Sequence, residues 1–425
     1  MRVRYIYSAC VVVETAGARI LSDPWFTPGA YDGSWYQYPA LPDPVAAIGP
    51  VDLIYISHIH PDHYDPVFLR HYLAAHPGAR LVIGMQQPPY LANKMRIDGF
   101  APEIVEQLAF RDAELLIVSS RVESDPKSEI DSALAIRSGG HSVVNMNDNA
   151  FALEQVARIL DFCPAGRVDF ALLPYSGAGP YPQTFEFDDA AELAAAAERK
   201  RAQFLALFAT YLDALKPAKA MPFAGKYHLG GPLRRLNPYR GVPDAVELRT
   251  LHGDRVVVLA DGGEASYDLD SCVASAERTD AYDPAEIDAY LRTLEFQGYD
   301  YEREIVPLPS RSLPLLPVLA AAKRKARAKV RIDDPYWLVL RPEAGRSAFA
   351  MNLADDAAPS FHRAGERFDA LSPRLEITID ARYLFGLLTR LYHWNNAEVG
   401  SMYRSRRVPQ TYQPEIYQFL NMLQV

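Results

Sequence analysis

The stretch SHIHPDHYDP, residues 57–66, constrains this chain more than any other part of it. It follows the apolar run VDLIYIS (51–57), which Gly49-Pro50 bounds on the other side, and such a run between turn residues predicts a buried strand. Three of the chain's ten histidines fall within six positions of the loop that leaves this strand. Asp65-Pro66 is a good N-cap and first-turn pair, so a helix is expected to start there and run through PVFLRHYLAAHP. Capping does not account for His58, His60, Asp62 and His63. A metal site does: the i,i+2 pair His58/His60 can chelate one ion. Asp62 and His63 can serve a second, Asp62 binding metal directly or orienting a water. Imidazole suits zinc and iron, and the added carboxylate keeps iron and manganese open.

ARLVIGM (79–85) reads as another short buried strand, and the strand–loop–helix–strand order predicts a layered α/β architecture. Upstream, 2–14 and 18–22 are expected to be two strands joined by a hairpin at Ala16-Gly17. Downstream, 131–148 predicts a hairpin turning at Gly139-Gly140. VDFALLPYSGAGPYP predicts a strand opening into a glycine- and proline-rich loop, and AKAMPFAGKYH a strand running into another. Between them lies an alanine-rich helix over 188–215 that Pro217 stops. Prolines and charges over 278–315 mark a connector. Beyond it YWLVLRP, SAFAMNL and RLEITID predict antiparallel strands of a small α+β domain, closed by a helix over 381–392. The expected division is a metal-binding domain over 1–275, a connector over 276–315 and a C-terminal domain over 316–425.

With 49% hydrophobic residues the chain can bury cores for such a division. The net charge of −9 argues against a nucleic-acid binder. Cys10, Cys163 and Cys272 stand far apart without CxxC spacing, which excludes a zinc ribbon and a disulfide framework and points to a reducing compartment. The N-terminal stretch has no apolar signal-peptide region and no run is as long as a membrane span, so the expectation is a soluble, cytoplasmic protein.

The HxHxDH loop after a buried strand, preceded by ILSDPWF, resembles the metallo-β-lactamase superfamily. That resemblance implies an αββα sandwich with one or two metal ions at one edge of its sheets. GGHSVVNMND, YSGAGPYP, PFAGKYH and HWNNAEVGS together are similar to the metallo-β-lactamase-like part of CMP-N-acetylneuraminate hydroxylase and related bacterial sugar-nucleotide hydroxylases. Those enzymes pair the fold with an N-terminal Rieske domain, whose Cys and His pairs are missing from these 425 residues. RLEITIDARYLFGLLTRL resembles the sterol-carrier-protein type 2 fold, which implies an α+β appendage but not lipid carriage.

The superfamily resemblance also implies further ligands. Asp148, at the end of the returning hairpin strand, stands where the superfamily places its metal-bridging aspartate; the alternative is a turn residue capping the next helix. A third histidine ordinarily precedes this hairpin, but LLIVSSRVESDPKSEID contains none. Asp131, opposite Asp148 across the hairpin, is the candidate substitute, and is equally readable as a strand-end acid. His228 is the only candidate for the superfamily's final histidine. Asp23 in SDPWF is expected either to support the ligands through hydrogen bonds or to cap a turn. His141 is expected at the hairpin tip, about 20 Å from Asp148 along the strand.

Three functions fit these residues. The leading one is a metal-dependent hydrolase in which Asp62 orients a metal-activated water toward an ester, phosphoester or amide of a small substrate, such as a sugar or nucleotide sugar. The second is a non-haem iron oxygenase of a sugar or sugar nucleotide, with electrons from a separate ferredoxin or reductase. The third is a metal-poor binding protein. SGAGPYP can bring backbone amides to an anionic group or serve as an ordinary connection. Arg199, Lys200 and Arg201 read as a solvated helix face, and KRKARAK (323–329) as a helix packed at the domain junction rather than on lipid. HWNNAEVGS is expected either to line a cleft or to tie the C-terminal domain down.

Overall fold

The apolar runs become strands that are buried on both faces. Along each strand successive side chains enter different cores, as the two-residue period of a strand requires. Val11 and Val13 enter one core while Cys10 and Val12 enter another; Leu53 and Tyr55 alternate in the same way with Ile54 and Ile56. Leu134, Ile136, Phe170 and Leu172 join the first core from a second sheet, while Ala133, Ala135, Ala171 and Leu173 face a third. Two sheets therefore lie face to face with helices outside each. The computed structural model describes residues 1–120, 129–306, 312–343, 347–363 and 365–425.

Among these residues the first sheet has eight strands, in the order Val273–Ala274, Ser266–Asp268, Arg2–Tyr7, Cys10–Glu14, Arg19–Ser22, Leu53–Ile56, Arg80–Ile83 and Glu103–Ile104. The second has six, in the order Lys219–Phe223, Phe170–Pro174, His141–Asn145, Asp131–Ser138, Ala113–Ser120 and Gln107–Phe110. Helices Pro66–Ala75 and Tyr90–Ile97 cover the first sheet, and Leu153–Phe162 and Ala190–Leu215 the second. This is the αββα sandwich that the resemblance implies. One strand expectation needs correcting: 2–14 is not continuous but turns at Ser8-Ala9, where Ser8 takes a left-handed φ of 46°. No glycine, proline or asparagine marks that turn.

A third sheet of five strands follows in the order Ser360–Arg363, Ser347–Asn352, Trp337–Glu343, Arg374–Asp380 and Arg404–Val408. Helices Leu315–Arg327, Ala381–Leu388 and Pro414–Met422 share a core with it, so the C-terminal part is α+β. Its central pair, Trp337–Glu343 with Arg374–Asp380, is parallel, against the antiparallel expectation. The chain crosses back through Ser360–Arg363 before the second of these strands begins, and sequence pattern does not encode such a crossover. The helix Ala381–Leu388 stops at Leu388 rather than running to 392, because Tyr392 folds back over Gly386, where a Cβ would lie 2.5 Å from its ring. The basic stretch, expected at the domain junction, instead packs within the C-terminal part, where Leu319, Ala322 and Ala326 of its helix enter the core and its cations meet residues 353–357. Lys323 is buried, its Nζ donating to the Ala357 carbonyl at 2.6 Å and to Asp355 at 3.1 Å.

The C-terminal sheet and its helices rest on the sandwich. Glu186 N donates to the Ser405 carbonyl at 2.8 Å, and Gln183 Nε2 to Ser401 Oγ at 3.3 Å. Tyr383 Oη donates to Asp32 Oδ2 at 2.5 Å. Burial, with Asp300 and Glu304 nearby, pushes the Asp32 carboxyl up to about 6, although the Tyr383 bond opposes it. A carboxyl raised in the folded state holds its proton while the unfolded chain has lost its own. Its stability contribution is therefore full below about pH 4 and is lost as pH rises through about 6. Asp32→Asn, which still accepts from Tyr383, should gain stability over wild type at pH 7 by at most ~3 kcal/mol, and by little at pH 4. Denaturant melts of both proteins at the two pH values check this; an equal difference at both would remove Asp32 as the cause.

Candidate metal centre

Loops that follow the carboxyl ends of strands from both inner sheets meet at one edge of the sandwich. Asp23 follows Arg19–Ser22, the histidine loop follows Leu53–Ile56, and Asp148 comes shortly after His141–Asn145. The histidine loop is pinned at its far end by the expected cap. Asp65 Oδ1 accepts from Phe68 N at 2.9 Å, and Oδ2 from Thr27 N at 2.7 Å.

Each histidine of the motif is held by its outer nitrogen. His63 Nδ1 donates to Asp23 Oδ2 at 2.8 Å, and His60 Nε2 to Asn395 Oδ1 at 3.1 Å. Ser57 Oγ donates to Asp23 Oδ2 at 2.5 Å, which leaves it to accept from His58 Nδ1 at 2.9 Å. These partners assign the tautomers, and all three inner nitrogens present lone pairs. His58 Nε2 lies 2.9 Å from His60 Nδ1 and 3.9 Å from Asp148 Oδ1. His63 Nε2 lies 3.5 Å from both Asp62 Oδ2 and Asp148 Oδ1. His58, His63 and Asp148 offer ligand atoms all within 4.8 Å of one another. Asp148 thus stands between a His58/His60 pair and an Asp62/His63 pair, the grouping that the motif's spacing suggests.

A divalent metal fits this arrangement. Metal–ligand bonds near 2.1 Å put two donors on one ion about 2.9–3.4 Å apart. The His58–His60 spacing of 2.9 Å lies in that range, the two 3.5 Å spacings of His63 lie just above it, and the 3.9 Å between His58 and Asp148 is wider. His63 Nε2 and Asp148 Oδ1 are buried without a hydrogen-bond partner, a costly state unless a cation meets them. Asn145 Nδ2, Asn147 Oδ1 and Asn149 Nδ2 are buried without partners close by in sequence. Burial and the other two histidines hold the His58 imidazole well below the usual range, while Asp148 opposes them. Burial works against a charge on His63, but Asp148, Asp62 and Asp23 outweigh it and hold that imidazole well above the usual range, so its Nε2 presents a lone pair only once a metal displaces the proton there. Four carboxylates (Asp23, Asp62, Asp131 and Asp148) attend three imidazoles, and two divalent ions would neutralise their four charges.

The remaining expectations divide. Asp148 is not a helix cap, since the following helix begins after Ala152. Asp131 pairs with Ser120 on one side; on the other, the hairpin register ends at Leu134–Asn145, because Asn147 turns left-handed at φ 53°. Burial pushes the Asp131 carboxyl up to about 6, with His60 and His63 opposing and Asp148 adding, so it senses the centre. His141 lies at the hairpin tip, 3.0 Å from Asp270, as expected. His228 lies elsewhere. In strand His228–Leu229 its ring meets Tyr38, while the preceding Tyr227 stacks on Trp35. The charges it feels are Arg240 and Lys226 rather than the ligand cluster. Trp394 belongs to the C-terminal core; its neighbour Asn395 is the residue that reaches the centre.

Sequence reasoning missed Tyr31, whose hydroxyl donates to Asp62 Oδ1 at 2.5 Å and leaves Oδ2 facing His63. Tyr31 sits in a left-handed turn at φ 56° within a short helix that follows Gly29, and no local pattern ties it to Asp62.

A profile for the beta-lactamase superfamily domain matches residues 2–202, which contain every residue of the cluster. Residues 2–202 are thus similar to the beta-lactamase superfamily domain. The chain is 29% identical over 253 residues to a Mycolicibacterium smegmatis protein provisionally named a Rieske 2Fe-2S iron–sulfur protein, covering 57% of this chain and 47% of that one. The Danio rerio cytidine monophosphate-N-acetylneuraminic acid hydroxylase is 25% identical over 228 residues, covering 52% of this chain and 38% of that one. The chain spans less than half the length of these curated relatives. Among solved structures, an isothiocyanate hydrolase from Delia radicum gut bacteria shares 17% identity at a TM-score of 0.41, covering 62% of this chain and 97% of that one. The diiron β-hydroxylase CmlA from Streptomyces venezuelae shares 18% at 0.36, covering 60% of this chain and 52% of that one. Among the described residues no helix is long and apolar enough to cross a membrane.

Proposed function

We propose that this chain is a two-metal oxygenase that hydroxylates a small sugar-type or nucleotide-sugar substrate with electrons from a separate donor such as a ferredoxin or reductase. The observation that carries this reading is the donor set: carboxylates from Asp62 and Asp148 among three imidazoles, with Asp131 within their electrostatic reach, suit iron or manganese better than a histidine-rich zinc site does. The hydroxylase and Rieske names among the curated relatives support it. When bound, the metal supplies the redox chemistry of oxygen activation. Overall, one C–H bond becomes C–OH and the second oxygen atom leaves as water, which consumes two electrons and two protons. The chain's own residues prepare the site. Asp23, Ser57 and Asn395 fix the three tautomers, and Tyr31 fixes Asp62. A second reading, the metal-dependent hydrolase, is favoured by Asp62, whose free Oδ2 faces the centre and is placed to orient a water.

Metal analysis of the anaerobically purified full chain separates the two. Two irons per chain are expected, and two zincs would overturn the oxygenase in favour of the hydrolase. The role of Asp131 is open to the same measurement. Asp131→Ala should weaken one of the two metals by about ten- to a hundredfold, and Asp131→His should raise zinc affinity. Unchanged metal content in both variants would make Asp131 an ordinary strand-end acid.

A further inference from the structure

Arg240 is 6% exposed, yet no described carboxylate pairs with it. Its Nη1 donates to the Tyr227 carbonyl at 2.6 Å, its guanidinium lies 3.7 Å over the Tyr227 ring, and its buried Nε has no partner. Of the other buried arginines, Arg374 meets Glu376 at 2.7 Å, whereas Arg407 meets no acid among the described residues and lies among aromatic rings, its Nε donating to Tyr417 Oη at 2.7 Å. A buried charge without a counterion is expensive, and at Arg240 the Nε is left without any partner as well.

Lys200 is a second such cation. Half-buried on the helix Ala190–Leu215, it donates to the Gly179 carbonyl at 2.7 Å and has no acidic partner among the described residues. Burial, with Arg240 adding to it, pulls its ammonium down to about 7. The two cations border one place. A Cβ on Gly241 would lie 3.0 Å from Lys200 Cβ, so the chain after Arg240 runs against the helix at Lys200. Ala178, next to Gly179, packs with Tyr227 and Trp35. Both charges therefore flank the glycine-rich loop over 176–182 beside Tyr227, in a chain whose net charge is −9.

We propose that Arg240, Lys200 and the loop over 176–182 form a subsite for an oxyanion, a phosphate or a carboxylate, carried by a small-molecule ligand. Oxyanions suit a guanidinium and an ammonium together, and glycines let backbone approach the bound group. The subsite connects to the metal centre through one aromatic stack. The Tyr227 ring lies 3.3 Å from Trp35, Trp35 lies 4.5 Å from Tyr31, and Tyr31 holds Asp62. The buried Tyr227 hydroxyl has no partner. Trp35 and Tyr31 are each 1% exposed, so the stack is a packed link between the two places and not a passage for the ligand. Binding of the anion does not rest on the proposed function.

Calorimetric titration of the full metal-loaded chain with inorganic phosphate, and separately with acetate, tests the subsite. At least one of the two oxyanions should bind saturably, and Lys200→Gln and Arg240→Gln should each weaken it by about tenfold or more. Metal content, measured alongside, should stay unchanged, so a failure of the metal reading shows separately. Equal affinity in wild type and both variants would place the anion on the metals and overturn the subsite. Absence of binding by either anion would overturn it too. Should Arg240→Gln fail to fold, Lys200→Gln on its half-exposed helix position decides alone.

Discussion

Asp148→Ala should leave the protein folded and nearly free of metal. Asp148 Oδ1 is the atom shared by the two halves of the centre, 3.9 Å from His58 Nε2 and 3.5 Å from His63 Nε2. Without it the His58/His60 pair and the Asp62/His63 pair lose the anion that holds two cations side by side. Removing groups that only orient ligands costs about ten- to a hundredfold in metal affinity, so loss of a direct, bridging ligand should exceed a hundredfold. Activity should fall with metal content. Elemental analysis after dialysis against a chelator, with circular dichroism as the folding control, measures both. A variant that keeps two metals per chain would show that Asp148 is not a ligand. Asp148→Asn keeps the shape but removes the charge, and should lose metal to a similar degree.

Trp394→Ala should cost about 3–5 kcal/mol of stability in the C-terminal part and should also weaken the metal centre. The indole is 1% exposed within the C-terminal core, and its Nε1 donates to the Leu423 carbonyl at 2.9 Å. Its deletion leaves a cavity and an unpaired buried carbonyl. Asn395, the next residue, holds His60 by its outer nitrogen, so a loosened helix Trp394–Val399 releases the tautomer that aims Nδ1 at the metal. Chemical denaturation gives the first effect and chelator competition the second. Trp394→Phe should recover most of both. If Trp394→Ala melts early but binds metal as wild type does, the C-terminal sheet and its helices do not support the centre.

Much of the site was legible because its core is local. His58, His60, Asp62 and His63 lie within six residues of one loop at the end of a buried strand, and loop geometry alone brings such side chains together. Hairpin arithmetic put Asp148 at the end of the returning strand, but that strand ends at Asn145, and Asp148 follows in the loop beyond the left-handed Asn147. His228 was misjudged for the opposite reason. Its distance along the chain from a strand end said nothing about which way a two-residue strand faces, and alternation turned Tyr227 toward Trp35 instead.

The layered α/β class, the histidine loop with its Asp65 cap and the Gly139-Gly140 hairpin follow from sequence alone, because each depends on residues within about one element's length. Tertiary structure decided what completes the centre. Asn395 reaches His60 across 335 residues, Tyr31 reaches Asp62 across 31, and Arg240 lies on Tyr227 with no acid to meet it. The parallel pairing in the C-terminal sheet belongs with these. A contact between distant segments is set by how separately folded layers pack against each other, and periodicity along the chain records only the layers themselves.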